Sequence, residues 1–177
     1  LTISEDQKGR LWCGRPSVGI ALYDPQLDTA QTWMTSNYPN SPFKMSSSII
    51  DERGHLWMGC HDGLKLIRNP DQIELNDSVL HKSVETIDLG KIKNDKVNGL
   101  LIYEDYLIIG SQNGHAFMDL NSFYTQERPD LFFFDTSDPG QGGAGEQNAL
   151  YTDSKGYLWI GKDRGALRID MKNLVLD

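Results

Sequence analysis

Two neighbouring residues, His61 and Asp62, have the side chains that acid–base chemistry or ligand binding would need. Sequence neighbours rarely form a catalytic dyad, however, and no serine or cysteine lies in a recognisable nucleophile motif. The histidines are not spaced as a metal-binding set, and the adjacent carboxylates lie at predicted turns. The histidines are His55, His61, His81 and His115; the carboxylate pairs are Asp51 with Glu52 and Glu104 with Asp105. We therefore predict no catalytic residue, no metal site and no cofactor.

Binding residues are a separate question, because four short polar segments each lie between two predicted strands. Their residues differ from one segment to the next, as expected for a binding site on a regular scaffold. Ordinary solvated turns are the alternative interpretation. A second candidate surface lies around the aromatic residues Trp33, Tyr38 and Phe43. The candidate ligand-binding residues are Arg15, His61, Asp62, Gln112, Asn113, Lys162, Asp163 and Arg164.

The elements that position these residues form an internal repeat. Residues 6–22, 51–66 and 153–168 share one pattern, and residues 102–117 are a degenerate copy. The glycine after the aromatic residue recurs as Gly14, Gly59, Gly110 and Gly161, at spacings of 45, 51 and 51 residues. A period of this size indicates a repeat architecture. The predicted units are residues 1–45, 46–96, 97–146 and 147–177.

Each unit is predicted to form a four-stranded antiparallel sheet. Short runs rich in β-branched and aromatic residues alternate with Gly, Asp, Asn and Pro, which is typical of strands and turns. Residues 72–81 are the best helical candidate, but they are few and weakly patterned. The sequence therefore predicts an all-β fold.

The strand that contains Leu56, Trp57 and Met58 must be covered on both faces, because three consecutive residues are large and apolar. Such a strand fits a sheet packed between two others, as in each blade of a β-propeller. We expect Trp12, Trp57 and Trp159 to pack between sheets. Sugar stacking is the alternative role for these indoles.

The aspartates and glycines that recur in the repeat are explained by structural roles in turns and packing. Asp6, Asp51 and Asp153 each begin a hairpin turn, where an Asx-type hydrogen bond explains them. The first glycines (Gly9, Gly54 and Gly156) suit positive φ, and the glycine after the aromatic residue marks a close approach of chain segments. Cys13 aligns with apolar core residues, so we expect a buried free thiol. A Cys13–Cys60 disulfide is the less favoured alternative.

Composition excludes several classes of partner. The formal net charge is −8 and no run of basic residues exists, which argues against nucleic acid and against an anionic membrane surface. The mean hydropathy is −0.47, and the apolar runs are far shorter than a membrane-spanning helix. Because Leu1 already lies inside a repeat, we expect the chain to be a piece of a longer protein.

The pattern Asp-x-x-Gly-x-Leu-Trp-x-Gly-x-x-x-Gly-Leu resembles the two-component regulator propeller repeat. Its clearest copy comprises Asp51, Gly54, Leu56, Trp57, Gly59, Gly63 and Leu64. The resemblance implies a β-propeller fragment of about four blades, covering residues 1–177. The sialidase Asp-box fits less well because its glycine comes two residues after the aspartate. WD40 repeats also fit poorly, because they contain a Trp-Asp dipeptide and no tryptophan here is directly followed by an aspartate.

The resemblance also implies a function. It predicts a non-catalytic, periplasmic sensor segment of a hybrid two-component protein, whose parent chain could be a histidine kinase. The implied ligand is a glycan fragment, and the other expected partners are the rest of the parent propeller and a second copy of the chain. The alternatives are a propeller lyase or glycosidase-like enzyme and a purely structural dimerisation segment.

Overall fold

The computed structural model describes residues 1–15, 19–34, 44–75, 80–92, 94–111, 113–126, 129–135, 145–162 and 165–174. These residues form four antiparallel sheets, and in each sheet the strands lie side by side in chain order. Sheet 1 contains β1 (Thr2–Glu5), β2 (Leu11–Arg15), β3 (Gly19–Asp24) and β4 (Thr29–Met34). Sheet 2 contains β5 (Met45–Ile50), β6 (Leu56–Cys60), β7 (Gly63–Ile67) and β8 (Glu85–Ile87).

The second half of the chain repeats this meander. Sheet 3 contains β9 (Val97–Tyr103), β10 (Tyr106–Ser111), β11 (Gly114–Asp119) and β12 (Leu131–Asp135). Sheet 4 contains β13 (Gly145–Thr152), β14 (Tyr157–Lys162) and β15 (Gly165–Asp170), so three of its strands lie in the described residues. The all-β prediction is confirmed. The chain divides into two compact units, Leu1–Val97 and Asn98–Asp177.

In the part of the chain that the structure describes, the helical segments are short. Single turns of 3-10 helix cover Pro70–Gln72, Leu80–Ser83 and Gly90–Ile92. The α-helix α1 (Leu120–Thr125) was not expected from the sequence, because six residues are too few to show a helical period. Its N-cap is Asp119, whose Oδ1 accepts the Ser122 backbone N–H at 3.0 Å. No helix in the described part of the chain is long and apolar enough to cross a membrane.

The hairpin turn before the second strand of sheets 1, 2 and 4 is held by one aspartate in each sheet. Asp51 Oδ1 accepts the backbone N–H groups of Arg53 at 3.0 Å and His55 at 2.9 Å. Asp51 Oδ2 accepts the Trp57 indole N–H at 2.8 Å. Asp6 binds Trp12 in the same way at 3.1 Å, and Asp153 binds Trp159 at 2.9 Å. The structural role predicted for these three aspartates is therefore confirmed, with an indole contact that the sequence did not reveal.

The glycines behave as their spacing predicts. Gly9, Gly54 and Gly156 have φ values of 76°, 81° and 86°, which favour a residue without a Cβ. Among the glycines after the aromatic residue, a Cβ on Gly14 would collide with Met45, one on Gly59 with Ser47 and one on Gly161 with Ala149, whereas a Cβ on Gly110 would have its nearest atom 3.5 Å away.

The core of the first unit lies between sheets 1 and 2. Trp12 stacks on Trp33, with ring centroids 6.3 Å apart, and both belong to one core with Leu56 and Met58 of sheet 2. Between these sheets the Ser48 hydroxyl hydrogen-bonds the hydroxyls of Thr2 and Ser4, each at 2.8 Å. The prediction that Trp12 packs between sheets is confirmed, and Trp57 is fully buried.

The core of the second unit lies between sheets 3 and 4. Ile108 occupies the position of the tryptophan in sheet 3, and it packs with Phe117, Leu158 and Ile160. The prediction for Trp159 is wrong, because 37% of this residue is exposed. Trp159 lies on the face of β14 opposite to that of the buried residues Leu158 and Ile160.

Neither cysteine forms a disulfide, as the favoured interpretation of Cys13 expected, but Cys13 is less buried than predicted. Cys60 is fully buried because it belongs to the core between sheets 1 and 2. Cys13 is half-buried because it lies on the face of sheet 1 opposite to Trp12. The prediction of a buried Cys13 is therefore wrong.

Candidate functional site

The turn between β6 and β7 holds the best described group of polar side chains. Asp62 is largely exposed, and its Oδ2 lies 3.1 Å from the Lys65 ammonium. Lys65 is the third residue of β7 and is buried. Its ammonium group also donates a hydrogen bond to the Thr86 hydroxyl at 3.0 Å. This buried lysine therefore fixes the orientation of an exposed carboxylate.

His61 lies in the same turn and is exposed. Its backbone N–H donates to the Lys44 carbonyl at 3.2 Å, which joins the turn to the segment that precedes β5. Partial burial and the nearby ammonium groups of Lys96 and Lys44 lower the pKa of His61, and Asp62 opposes them. A neutral imidazole, two lysines and a carboxylate can together exchange hydrogen bonds with hydroxyl groups. We call His61, Asp62, Lys44 and Lys96 the β6–β7 site.

Cys60 adjoins this site but cannot act as its nucleophile. Burial, followed by the charge of Asp62, raises the pKa of Cys60 to about 12, although Lys65 acts in the opposite direction. The thiol is therefore protonated at neutral pH, and only the thiolate attacks or binds a metal ion. Within the described residues, no group of three or more His, Cys, Asp or Glu side chains could hold a metal ion.

The corresponding turns of the second unit are built differently. Asn113 is exposed in the turn between β10 and β11, whereas Ser111 is buried and its hydroxyl donates to the Gly114 carbonyl at 2.9 Å. Lys162, at the end of β14, is buried. His115 is also buried, and its Nδ1 has no hydrogen-bond partner in the described structure. Burial first, and the Lys162 charge second, lower the pKa of His115 to about 4.

The predicted ligand-binding residues divide into three groups. The structure brings His61 and Asp62 together in one turn. Asn113 and Lys162 lie in the second unit, at the β10–β11 and β14–β15 hairpins. Gln112, Asp163 and Arg164 lie outside the described residues, as do Tyr38, Phe43 and the side chain of Arg15.

Sequence reasoning missed two buried residues near these turns. Lys65 in β7 pairs with Met58 on the neighbouring strand β6. The residues at the position equivalent to Lys65 in the other sheets are Ala21, Ala116 and Leu167. His115 occupies the position of Ile20, Leu64 and Ala166. A basic residue at an otherwise small or apolar position of the repeat was the available signal. Lys44 and Lys96 gave no such signal, because they lie outside the repeat motif.

Two surface cavities lie elsewhere in the first unit. One of about 360 Å³ is lined by residues that include Arg68, Gln72 and Glu85, and one of about 420 Å³ by residues that include Arg10, Asp24 and Glu74. Neither includes a residue of the β6–β7 site.

No model of a protein family matches the chain, and no curated protein sequence matches it. Solved structures of similar fold do exist. The extracellular domain of BT3049 from B. thetaiotaomicron, described as a hybrid two-component system, is 13% identical with a TM-score of 0.72 over 96% of this chain. That of BT4673 from the same organism, with the same description, is 18% identical with a TM-score of 0.66 over 98% of this chain. This chain spans about a fifth of the length of each neighbour: 21% of the BT3049 domain and 20% of the BT4673 domain.

An inactive variant of virginiamycin B lyase from Staphylococcus aureus has a similar fold as well. Its identity is 11% and its TM-score is 0.63, over 97% of this chain and 55% of the lyase. At these identities the similarity defines the fold. The chain therefore has a β-propeller type of fold, in which each sheet corresponds to one blade.

Proposed function

We propose that this chain is part of a non-catalytic, extracytoplasmic sensor propeller in a hybrid two-component signalling protein, located in the periplasm. The observation that carries the proposal is the similarity of nearly the whole chain to extracellular domains described as parts of such systems. The repeat motif of the sequence supports the same class, because it resembles the two-component regulator propeller repeat.

The proposed ligand is a glycan fragment, which binds where the strand-to-strand turns differ between repeats. The β6–β7 site supports this choice, since a neutral imidazole, lysines and an oriented carboxylate suit the hydroxyl groups of a sugar.

Isothermal titration calorimetry of the whole extracellular region against a panel of oligosaccharides tests this function. We expect heat of binding with at least one oligosaccharide, and a roughly tenfold weaker affinity for His61→Ala, which loses one or two hydrogen bonds. The control is His81→Ala, which removes an exposed imidazole from the Leu80–Ser83 turn and should leave the affinity unchanged. No heat across the panel would remove the glycan from the proposal.

A propeller lyase is the second candidate, because virginiamycin B lyase has a similar fold. Turnover of a polysaccharide that disappears in His61→Ala or Asp62→Ala would favour an enzyme over a sensor.

A further inference from the structure

Strand pairing places Lys44 beside the turn between β6 and β7. Met45, the first residue of β5, is paired with Cys60, the last residue of β6. The residue before Met45 therefore lies next to the residue after Cys60, and the backbone N–H of His61 donates to the Lys44 carbonyl at 3.2 Å. The register of sheet 2 thus brings a lysine that is distant in sequence to the β6–β7 site.

The segment before β9 approaches the same turn because Gly59 has no side chain. A Cβ on Gly59 would lie 2.7 Å from a methyl carbon of Val97 and 3.0 Å from the Val97 carbonyl oxygen. Lys96 directly precedes Val97, so this close contact holds Lys96 next to the end of β6. All residues of the β6–β7 site belong to the first unit, at the strand ends of sheet 2.

The carboxylate of the β6–β7 site is already paired with a buried cation. Asp62 Oδ2 lies 3.1 Å from the ammonium group of Lys65, which is 5% exposed and also donates to the Thr86 hydroxyl at 3.0 Å. The Asp62–Lys65 pair has no net charge, and the burial of Lys65 holds the pair in place. Asp62 therefore leaves the charges of Lys44 and Lys96 uncompensated.

Two lysine charges converge on one imidazole. Partial burial first, and then the ammonium groups of Lys96 and Lys44, lower the pKa of His61. Neither lysine forms an ion pair with a carboxylate within the residues that the structure describes. The β6–β7 site therefore has an excess of positive charge, although the formal net charge of the chain is −8. A local reversal of sign on an acidic protein attracts anionic ligands.

The donors of the site suit an anionic oxygen better than a neutral one. Each ammonium group has three N–H donors and no acceptor, and a neutral imidazole has one donor. Hydrogen bonds from a cation to a carboxylate or a sulfate are about twice as strong as those between neutral groups. A sugar that carries only hydroxyl groups would leave this advantage unused.

We propose that Lys44, Lys96 and His61 bind an anionic oxygen group of the ligand, either a carboxylate or a sulfate ester. Asp62, held by Lys65, accepts a hydrogen bond from a neighbouring hydroxyl group. The inference rests on the proposed sensor function and narrows its ligand from a glycan fragment to an acidic one. A carboxylate would belong to a uronic acid residue, and a sulfate ester to a sulfated sugar.

Nuclear magnetic resonance of the histidine ring protons tests the anion site without a sugar. A bound anion favours the protonated imidazole, so the pKa of His61 should be higher in sodium sulfate than in sodium chloride of equal ionic strength. This difference should disappear in the double variant Lys44→Gln, Lys96→Gln. The control is Lys82→Gln, which removes the same charge from the Leu80–Ser83 turn, beyond the opposite end of β7, and should keep the difference.

Calorimetry of the whole extracellular region with matched oligosaccharides tests the ligand class. Each uronic acid oligosaccharide is compared with the same molecule after reduction of its carboxylates to hydroxymethyl groups, and each sulfated one with its desulfated form. At least one acidic member should bind about tenfold more tightly than its neutral counterpart, and Lys44→Gln should remove most of that preference. The pair that shows the preference distinguishes a carboxylate from a sulfate ester.

The inference and the proposed function can fail separately. A His61 pKa that is equal in sulfate and chloride, or that still rises in the double variant, would show that the lysines do not hold an anion. Neutral oligosaccharides that bind as tightly as their acidic counterparts would overturn the choice of an acidic ligand and leave a glycan sensor. Sulfate binding at the lysines without heat from any oligosaccharide would confirm the anion site and remove the glycan from the proposed function.

Discussion

In three hairpins, a single aspartate carboxylate both closes the turn and binds the indole N–H of the following tryptophan. One oxygen of Asp51 closes the turn by accepting two backbone N–H groups, and the other accepts the N–H of Trp57. The turn and the largest side chain of the next strand are therefore fixed relative to each other. Each indole contributes its apolar surface without leaving a buried donor unpaired.

Trp57 is fully buried and Trp159 is partly exposed, so replacement by alanine should destabilise the protein to different extents at the two positions. Trp57→Ala should lower the free energy of unfolding by about 3–5 kcal/mol, because it truncates a fully buried aromatic residue. Trp159→Ala should lower it by much less, since 37% of this residue is already exposed in the folded chain. Urea unfolding of the two variants measures both values. Equal losses would contradict the packing described for the two indoles.

The buried imidazole of His115 predicts a pH dependence of stability. Its folded-state pKa is about 4, against 6.5 for an ordinary histidine, so the unfolded chain binds a proton between these values while the folded chain does not. Stability is therefore full above about pH 6.5 and falls as the pH decreases toward about 4. At about pH 5 the loss due to this residue should be about 2 kcal/mol.

The control for this pH effect is His115→Leu. Leucine fits the position, because Leu64 occupies it in sheet 2. Urea unfolding of the wild type and of the variant at about pH 7 and about pH 5 isolates the histidine from the titrating carboxylates. An identical pH dependence in the two proteins would contradict a neutral, buried His115.

At the scale of single residues, the sequence predicted the site in part. His61 and Asp62 stood out because polar residues interrupt a regular repeat at a turn. Lys65 did not stand out, although it orients Asp62, because its burial depends on the sheet packing around β7. The exposure of Trp159 was also not predictable, because the repeat motif is the same whether or not another sheet covers it.

The strands themselves were well predicted, because their boundaries depend on local turn chemistry. Asp and Gly fix the hairpin that precedes β2, β6 and β14, and the alternation of side chains follows from the strand period. The sequence predicts fourth strands over residues 131–135 and 84–89; β12 covers the first range in full, while β8 covers only Glu85–Ile87 of the second. The helix α1 was missed because its cap, Asp119, also resembles the acidic end of a strand.

The packing around Gly59 and Gly110 predicts that these two equivalent glycines differ in their tolerance of a side chain. A Cβ on Gly59 would lie 2.7 Å from Val97 and would collide with Ser47, whereas on Gly110 the nearest atom would be 3.5 Å away. Gly59→Ala should therefore cost about 1–3 kcal/mol of stability through overpacking. Gly110→Ala should cost less, or stabilise by up to about 1 kcal/mol by restricting the unfolded chain. Thermal unfolding of the two variants compares them, and a larger loss for Gly110→Ala would contradict the described strand spacing.

At the scale of the molecule, the buried guanidinium of Arg10 connects two sheets of the first unit. It contacts Asp6 at 2.8 Å and donates to the carbonyls of Ile73 at 2.7 Å and Pro70 at 2.8 Å. The turn of sheet 1 is thus joined to the segment that follows β7. Repeat proteins derive their stability from each unit and its neighbours, so the effect of losing such a link should decrease with distance along the chain.

Removing this guanidinium should therefore destabilise the two units unequally. Arg10→Met should lower the free energy of unfolding of the first unit by about 3–5 kcal/mol, because it leaves the buried carboxylate of Asp6 without an opposite charge. Native-state hydrogen exchange should show faster exchange in β1 to β7 and little change in β13 to β15. The control is Arg68→Met, whose exposed pair with Glu85 should contribute less than about 1 kcal/mol. A uniform loss of protection along the chain would indicate that the two units unfold together.

The bond between each hairpin aspartate and its own indole has a consequence for how such proteins change over generations. Because the tryptophan completes its polar contact within one repeat, a gene duplication or deletion that changes the number of repeats leaves each remaining indole N–H paired with its own aspartate. The hairpin turns are preserved in the same way, since the same aspartate closes them. Contacts that cross from one sheet to the next, such as those of Arg10 with the carbonyls of Ile73 and Pro70, are the ones that a new boundary would remove.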